Sequence, residues 1–167
     1  EGYSFKTETD TEVILAAYDH WGEDCVKRFN GDWAFCIADI KQGRLFLSRD
    51  RYGVKPLYYS HKDSYFAFSS EIKGLMKLPF PGKHLNREMV FNAILFSLSD
   101  HNDQTLFSEI SQVCPGQNLV FDLRSGKLNK SFYYHLPKTQ DLGHYDKNQA
   151  KKYVSDIREL LIDSVRI

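Results

Sequence analysis

The sequence predicts an α+β fold in which antiparallel sheets are flanked by helices, and three observations predict it. Aromatic residues make up 14% of the 167 residues, with 12 Phe and 10 Tyr, a level that suits packed sheets and argues against disorder. Apolar runs of strand length, "WAFCIADI", "RLFLS", "PLYYS" and "YFAFSS", follow one another with only short turn-like breaks, and strands joined so closely are expected to be antiparallel neighbours. Segments of helical periodicity stand on both sides of this block.

The first helix is expected over "VILAAYDHWG". Thr9 and Glu12 ahead of it have the spacing of a capping box, Val13, Ile14, Ala17, Tyr18 and Trp21 share a face, and Gly22 is a natural stop. A short second helix at "EDCVKRF" ends near Asn30-Gly31. "WAFCIADI" is apolar at nearly every position, so the pattern predicts a strand covered on both faces. "LFLSRDRYGVKPLYYS", residues 45 to 60, reads as a hairpin with Gly53 at positive φ and Pro56 leading into its second strand.

Farther along, "EIKGLMKL" predicts a short helix and "NREMVFNAILFSL" a longer one capped by Asn86. "QNLVFDL" and "LNKSFYYHL" flank Arg124-Ser125-Gly126 as a further hairpin. Residues 137–146 are polar and turn-rich and read as a linker. Beyond them Val154, Ile157, Leu161 and Val165 form one stripe of an amphipathic helix, which suggests the start of a second domain. The chain opens at Glu1 without a methionine and closes inside this helical pattern, so a piece of a longer protein is expected.

Composition excludes several classes. The 22 basic and 22 acidic residues balance to zero net charge without a long run of either sign, which speaks against a nucleic-acid partner. No apolar stretch approaches the roughly 20 residues that span a bilayer, and no signal peptide opens the chain, so no membrane role and a cytoplasmic location are expected. Cys25, Cys36 and Cys114 are odd in number and widely spaced, which fits a reducing compartment and neither a disulfide framework nor a zinc knuckle.

The generic catalytic motifs are missing: there is no P-loop, no GxGxxG, no HExxH and no GxSxG, and the six histidines are scattered. No metal site is expected. Cys36 lies in an apolar strand with no base or cation beside it, so a buried filler is the simpler reading than a nucleophile. Asp10 serves as a helix-entering carboxylate on local grounds alone; to form a site it would have to face a bound ammonium group. Arg49, Asp50, Gly53 and Pro56 are more specific because they come as a set in "SRDRYGVKPLYY". Local pairing of Arg49 with Asp50 is the expected architectural use of that set.

"TDTEVILAAYDHWGEDCVKRFNGDWAFCIADIKQGRLFLSRDRYGVKPLYY", "FAFSSEIKGLM" and "TLFSEISQVCPGQNLVFDL" together resemble, in order, the glutamine-hydrolysing asparagine synthetases and more broadly the class II glutamine amidotransferases. The resemblance implies an N-terminal nucleophile hydrolase-like sandwich of antiparallel sheets flanked by helices, here incomplete at its N-terminus. It divides the chain into a glutaminase domain lacking its first segment (residues 1–136), the linker (137–146) and the first helix of a synthetase domain (147–167).

In that family a terminal cysteine attacks the side-chain amide of glutamine with its own α-amine as base, and an Asn-Gly loop holds the oxyanion. Both are expected upstream of Glu1, so no catalytic residue is assigned within the chain, and the chain alone is predicted inactive. One residue carries over: Asp10, in "TDTEV", matches the aspartate that holds the α-ammonium of glutamine. ATP and Mg are implied for the synthetase domain and no cofactor for these residues. The implied partners are glutamine and the protein's own synthetase domain, with a homodimer as a further expectation. Asp32-Trp33 and Cys114 depart from the residues common in asparagine synthetases, so relatives acting on a sugar or peptide carboxylate, or a non-catalytic binding module, stand as alternatives.

Overall fold

The structure, a computed structural model, describes residues 3–63, 65–99, 101–137 and 146–166. The chain divides into two units, Glu1–His135 and Leu136–Ile167. Within the first, β1 (Ala34–Asp39), β2 (Arg44–Arg49), β6 (Gln117–Asp122) and β7 (Leu128–Phe132) form one antiparallel sheet in the order β1-β2-β6-β7. A second antiparallel sheet has the order β4-β3-β5, from β3 (Tyr58–Lys62), β4 (Tyr65–Ser69) and β5 (Ser111–Gln112). The predicted α+β architecture of antiparallel sheets and helices is the one observed.

Alternation along β2 sets the layers. Ala34↔Arg49 and Asp39↔Arg44 fix its register against β1, and Leu47↔Leu119 against β6. Successive side chains of a strand point to opposite faces. Phe46 therefore joins Ala17, Cys25, Val26, Trp33 and Ile37 under α1 (Asp10–Trp21) and the 3-10 helix Gly22–Arg28. Leu47 and Leu119 face the other way and meet Leu57, Tyr59 and Val113 of the second sheet's layer. Phe66 and Phe121 close the same interface, their rings stacked with centroids 4.6 Å apart. Phe46 and Leu47 are both 0% exposed, and burial of each stabilises the sandwich by about 2 kcal/mol. The short helix α2 (Ile72–Leu75) packs on β3 and β4.

The stretch 45–60 is not a hairpin. β2 and β3 belong to different sheets, and the residues between them cross from one layer to the other. Short connections predict antiparallel pairing only when both strands find each other's edges. Here β2 already has β1 and β6 on its two sides, so β3 pairs with β4 and β5 instead.

"WAFCIADI" also departs from expectation. β1 lies at a sheet edge among the described residues, and within it only Ile37 is buried, with Ala38 exposed. Apolar sequence alone does not say how much of a strand's surface another element covers.

α1 begins after Thr9, but Thr9 makes no side-chain cap. Glu12 does not reach back to the Thr9 N–H; its carboxylate accepts from Lys6 N at 2.9 Å, Thr7 N at 2.7 Å and Thr7 Oγ1 at 2.6 Å. The preceding segment turns over the helix start and offers three donors where a capping box would supply one, and those donors hold the Glu12 carboxyl below its ordinary range, Thr7 Oγ1 most strongly. Gly22 ends α1 with φ 59°, as its position predicts.

α3 (Arg87–Phe96) starts as read, with Asn86 Oδ1 accepting from Met89 N at 3.3 Å. The β6–β7 hairpin turns through Gly126 at φ 68°. β5 was not anticipated: two residues carry no periodicity, and this pair becomes a strand because Tyr58 and Tyr59 lie opposite it. In the second unit α4 (Lys147–Arg166) presents Val154, Ile157, Leu161 and Val165 as exposed side chains. Of the linker read over 137–146, residues 138–145 lie outside the described residues.

Candidate functional site

The crossing between the sheets is built around two buried charges. Asp50 is 1% exposed, and its carboxylate accepts from the N–H groups of Tyr52, Val54 and Lys55, each at 3.0 Å. Burial pushes the Asp50 carboxyl up, but the backbone donors of Lys55, Val54, Tyr52 and Gly53 outweigh it and leave the group below its ordinary range. Arg49 points into the sandwich and donates to Lys55 O (2.8 Å), Gly53 O (2.8 Å), Val113 O (2.7 Å) and Gln112 Oε1 (3.2 Å). Gln112 Nε2 in turn donates to Asn102 O at 2.6 Å, and Tyr133 Oη donates to Arg49 O at 2.8 Å.

These contacts make residues 50–55 a rigid cage and explain Gly53. Its φ is 67°, and a Cβ there would lie 2.8 Å from Pro115 Cγ and 3.2 Å from Arg49 Cζ. Pro56 follows the last N–H that Asp50 requires and precedes Leu57, whose carbonyl accepts from Val113 N at 2.9 Å. A residue without an N–H leaves nothing unpaired at that point.

The cage supports a second segment. Asp50 N donates to Trp33 O at 2.9 Å, while the Arg51 guanidinium donates to Phe29 O and to Lys27 O at 3.1 Å. Arg51 also lies 5.7 Å from the ring centroids of both Trp33 and Tyr134. The Trp33 indole N–H reaches Ser48 Oγ at 3.0 Å. Residues 27–33 are thus pinned from one side by Ser48, Asp50 and Arg51.

Asp10 faces the same segment. A cleft of about 390 Å³ is lined by Asp10, Val13 and Ile14 of α1 and by the loop from Arg28 to Trp33. Asp10 is the first residue of α1, where the helix's unpaired N–H groups favour a negative charge. Among the described residues its carboxylate has no hydrogen-bond or ion-pair partner, while Glu12 two residues on is fully engaged. An uncommitted carboxylate lining a cleft is suited to hold an ammonium group.

The three thiols are placed as fillers. Burial pushes Cys25 and Cys36 up to about 11 and raises Cys114 as well. No group of three or more His, Cys, Asp or Glu side chains that could hold a metal occurs among the described residues, and none of their helices is long and apolar enough to cross a membrane.

Sequence reasoning missed Arg51, Gln112 and Tyr133. Arg51 stands inside the quoted motif, but its partners are backbone carbonyls 22 and 24 residues away, which no residue type announces. Gln112 carries a signal in retrospect, as a polar residue between Ile110 and Val113 that are 1% and 0% exposed.

A family model described as a glutamine amidotransferase domain matches residues 1–134. A Methanocaldococcus jannaschii protein named as a candidate asparagine synthetase (glutamine-hydrolyzing) 2 is 41% identical, over 100% of this chain and 32% of its own length. Asparagine synthetase (glutamine-hydrolyzing) 3 of Bacillus subtilis is 33% identical over 98% of this chain and 26% of its own. The chain therefore spans about a third or less of these relatives. A solved glutamine phosphoribosylpyrophosphate amidotransferase from B. subtilis superposes with a TM-score of 0.51 at 16% identity, over 80% of this chain and 24% of that one, a likeness of fold.

Proposed function

This chain belongs to the glutamine amidotransferase domain family, and on that premise we propose that it is the glutamine-recognising part of an ATP-dependent, glutamine-hydrolysing amidotransferase of the asparagine synthetase kind. The protein that carries it would convert glutamine, aspartate and ATP into asparagine and glutamate in the cytoplasm. The observation that carries the reading is the unpaired Asp10 carboxylate at the start of α1, opening on the cleft formed with residues 28–33.

Asp10 is the residue for the α-ammonium of glutamine. A carboxylate paired with that ammonium makes a charge-assisted hydrogen bond and discriminates against amides that lack the amino group. The attacking thiol and the oxyanion donors belong, on this reading, to residues of the whole protein outside these 167, and ammonia passes to a synthetase domain where ATP and Mg activate the acceptor carboxylate. On this reading the contribution of these residues is binding and orientation.

The test is to supply the full-length protein with glutamine, aspartate and ATP and to measure glutamate and asparagine. Equal formation of both supports the reading. Glutamate without consumption of aspartate would point to a sugar or peptide carboxylate as acceptor, and absence of glutamate would leave a non-catalytic binding module.

A further inference from the structure

We infer that Arg51 is a positioning residue for glutamine recognition, holding the wall of the cleft that faces Asp10. This rests on the glutamine-binding reading of that cleft. The wall is the segment from Arg28 to Trp33, which has no regular structure between the 3-10 helix and β1, and Gly31 within it has φ 136°. Such a segment does not hold its own shape. Its carbonyls are fixed from outside: Phe29 O and Lys27 O by the two terminal nitrogens of Arg51, and Trp33 O by the Asp50 N–H at 2.9 Å.

Only a planar fork satisfies two carbonyls two residues apart while stacking between Trp33 and Tyr134. Arg51 itself is anchored because its neighbours Arg49 and Asp50 are locked in the crossing. The charge lies behind the wall, bonded to backbone, so its effect on glutamine is through the placement of Asn30-Gly31-Asp32 and not by contact. A wall displaced by a few tenths of an ångström changes ground-state binding of a small zwitterion more than it changes the chemistry of a thiol elsewhere.

The experiment uses the full-length protein carrying this chain, with Arg51→Met, Arg51→Lys, Asp10→Asn and Thr105→Val. Thr105 Oγ1 donates to Ile110 O at 2.7 Å within a loop of the second sheet's layer, so T105V is a destabilising control away from the cleft. R51M is expected to raise the glutamine KM on the order of tenfold with kcat within about threefold, R51K to recover part of that, and ammonia-dependent synthesis to stay at the wild-type rate.

An unchanged glutamine KM in R51M and R51K overturns the inference, as does an equal rise in T105V, which would make the effect one of stability. If R51M does not fold, R51K decides by the same KM comparison. An effect of R51M with none of D10N would sink the Asp10 assignment and leave Arg51 standing. A wild-type protein that releases no glutamate overturns both together.

Discussion

Arg49 and Asp50 are adjacent, oppositely charged and both buried, at 8% and 1% exposure, yet they form no ion pair with each other. Side chains of consecutive strand residues leave on opposite faces. Arg49 goes inward to Gln112 and Val113, while Asp50 turns back over the N–H groups of Tyr52, Val54 and Lys55. Asp50 is satisfied by backbone N–H groups and Arg49 by backbone carbonyls and Gln112 Oε1, and together they fold residues 50–55 into the bridge between the two sheets. The local pairing expected from sequence is replaced by two separate cages, because a pair in direct contact would leave five backbone groups of the crossing without partners.

Replacing Asp50 with Asn should destabilise the chain by about 3 kcal/mol at neutral pH, since an amide presents two hydrogens to a cage of donors that needs an acceptor. The pH dependence distinguishes this from a packing defect. The folded carboxyl titrates below the unfolded value of about 3.9, so its stabilisation is fully present above that value and is lost as pH falls through the folded one. Urea titrations of wild type and Asp50→Asn at pH 7 and pH 3 should show a gap that narrows in acid. A gap independent of pH would contradict the assignment.

Gly53→Ala and Gly53→Asn should both be destabilising, by about 2–4 kcal/mol, and nearly equally. If only the backbone conformation mattered, Asn would be the milder change, because it tolerates positive φ. Here a Cβ of any kind lies 2.8 Å from Pro115 Cγ, so Asn brings no relief. Thermal unfolding of the two variants checks this, with a clearly more stable Gly53→Asn as the contrary outcome.

The elements legible in the sequence were those whose signals are local. α1 with its Gly22 stop, the Asn86 cap, and the β6–β7 turn at Gly126 all depend on residues within a few positions of one another. The misreadings share the opposite property. That residues 45–60 cross between sheets depends on β6 occupying the far edge of β2, some 70 residues on in the chain. The two-residue β5 exists only against β3, and the half-covered β1 looked buried because composition does not count neighbours. The candidate site divides in the same way: Asp10 is proposed from the resemblance carried by "TDTEV", its helix-start context alone announcing no more than a cap, whereas Arg51 acts on residues 27–29 through carbonyls that any sequence would possess.

Asp10→Asn should separate binding from folding. The carboxylate has no partner among the described residues, and its only structural contribution is to the start of α1, so stability should fall by less than about 1 kcal/mol. Loss of a charge-assisted contact to the α-ammonium would raise the glutamine KM of the full-length protein on the order of 10- to 100-fold. Steady-state kinetics with glutamine, set beside ammonia as the nitrogen source, measures this. A variant that unfolds, or one with unchanged KM, would remove Asp10 from the site.

The thiols provide a test that needs only the isolated chain. Cys25 is 0% exposed, and burial holds both it and Cys36 up to about 11, so at pH 8 fewer than about one in a hundred of these groups is thiolate. Cys114 is raised in the same direction, by burial first and then by Asp103. A thiol-specific disulfide reagent at pH 8 should therefore label the native chain slowly, and should label all three cysteines rapidly once denaturant is added. By the same chemistry the isolated chain should form no glutamate from glutamine, because none of its thiols combines access, ionisation and an adjacent amine. Fast labelling of one cysteine in the folded chain, accompanied by glutamate release, would reveal a nucleophile where the structure places only packing.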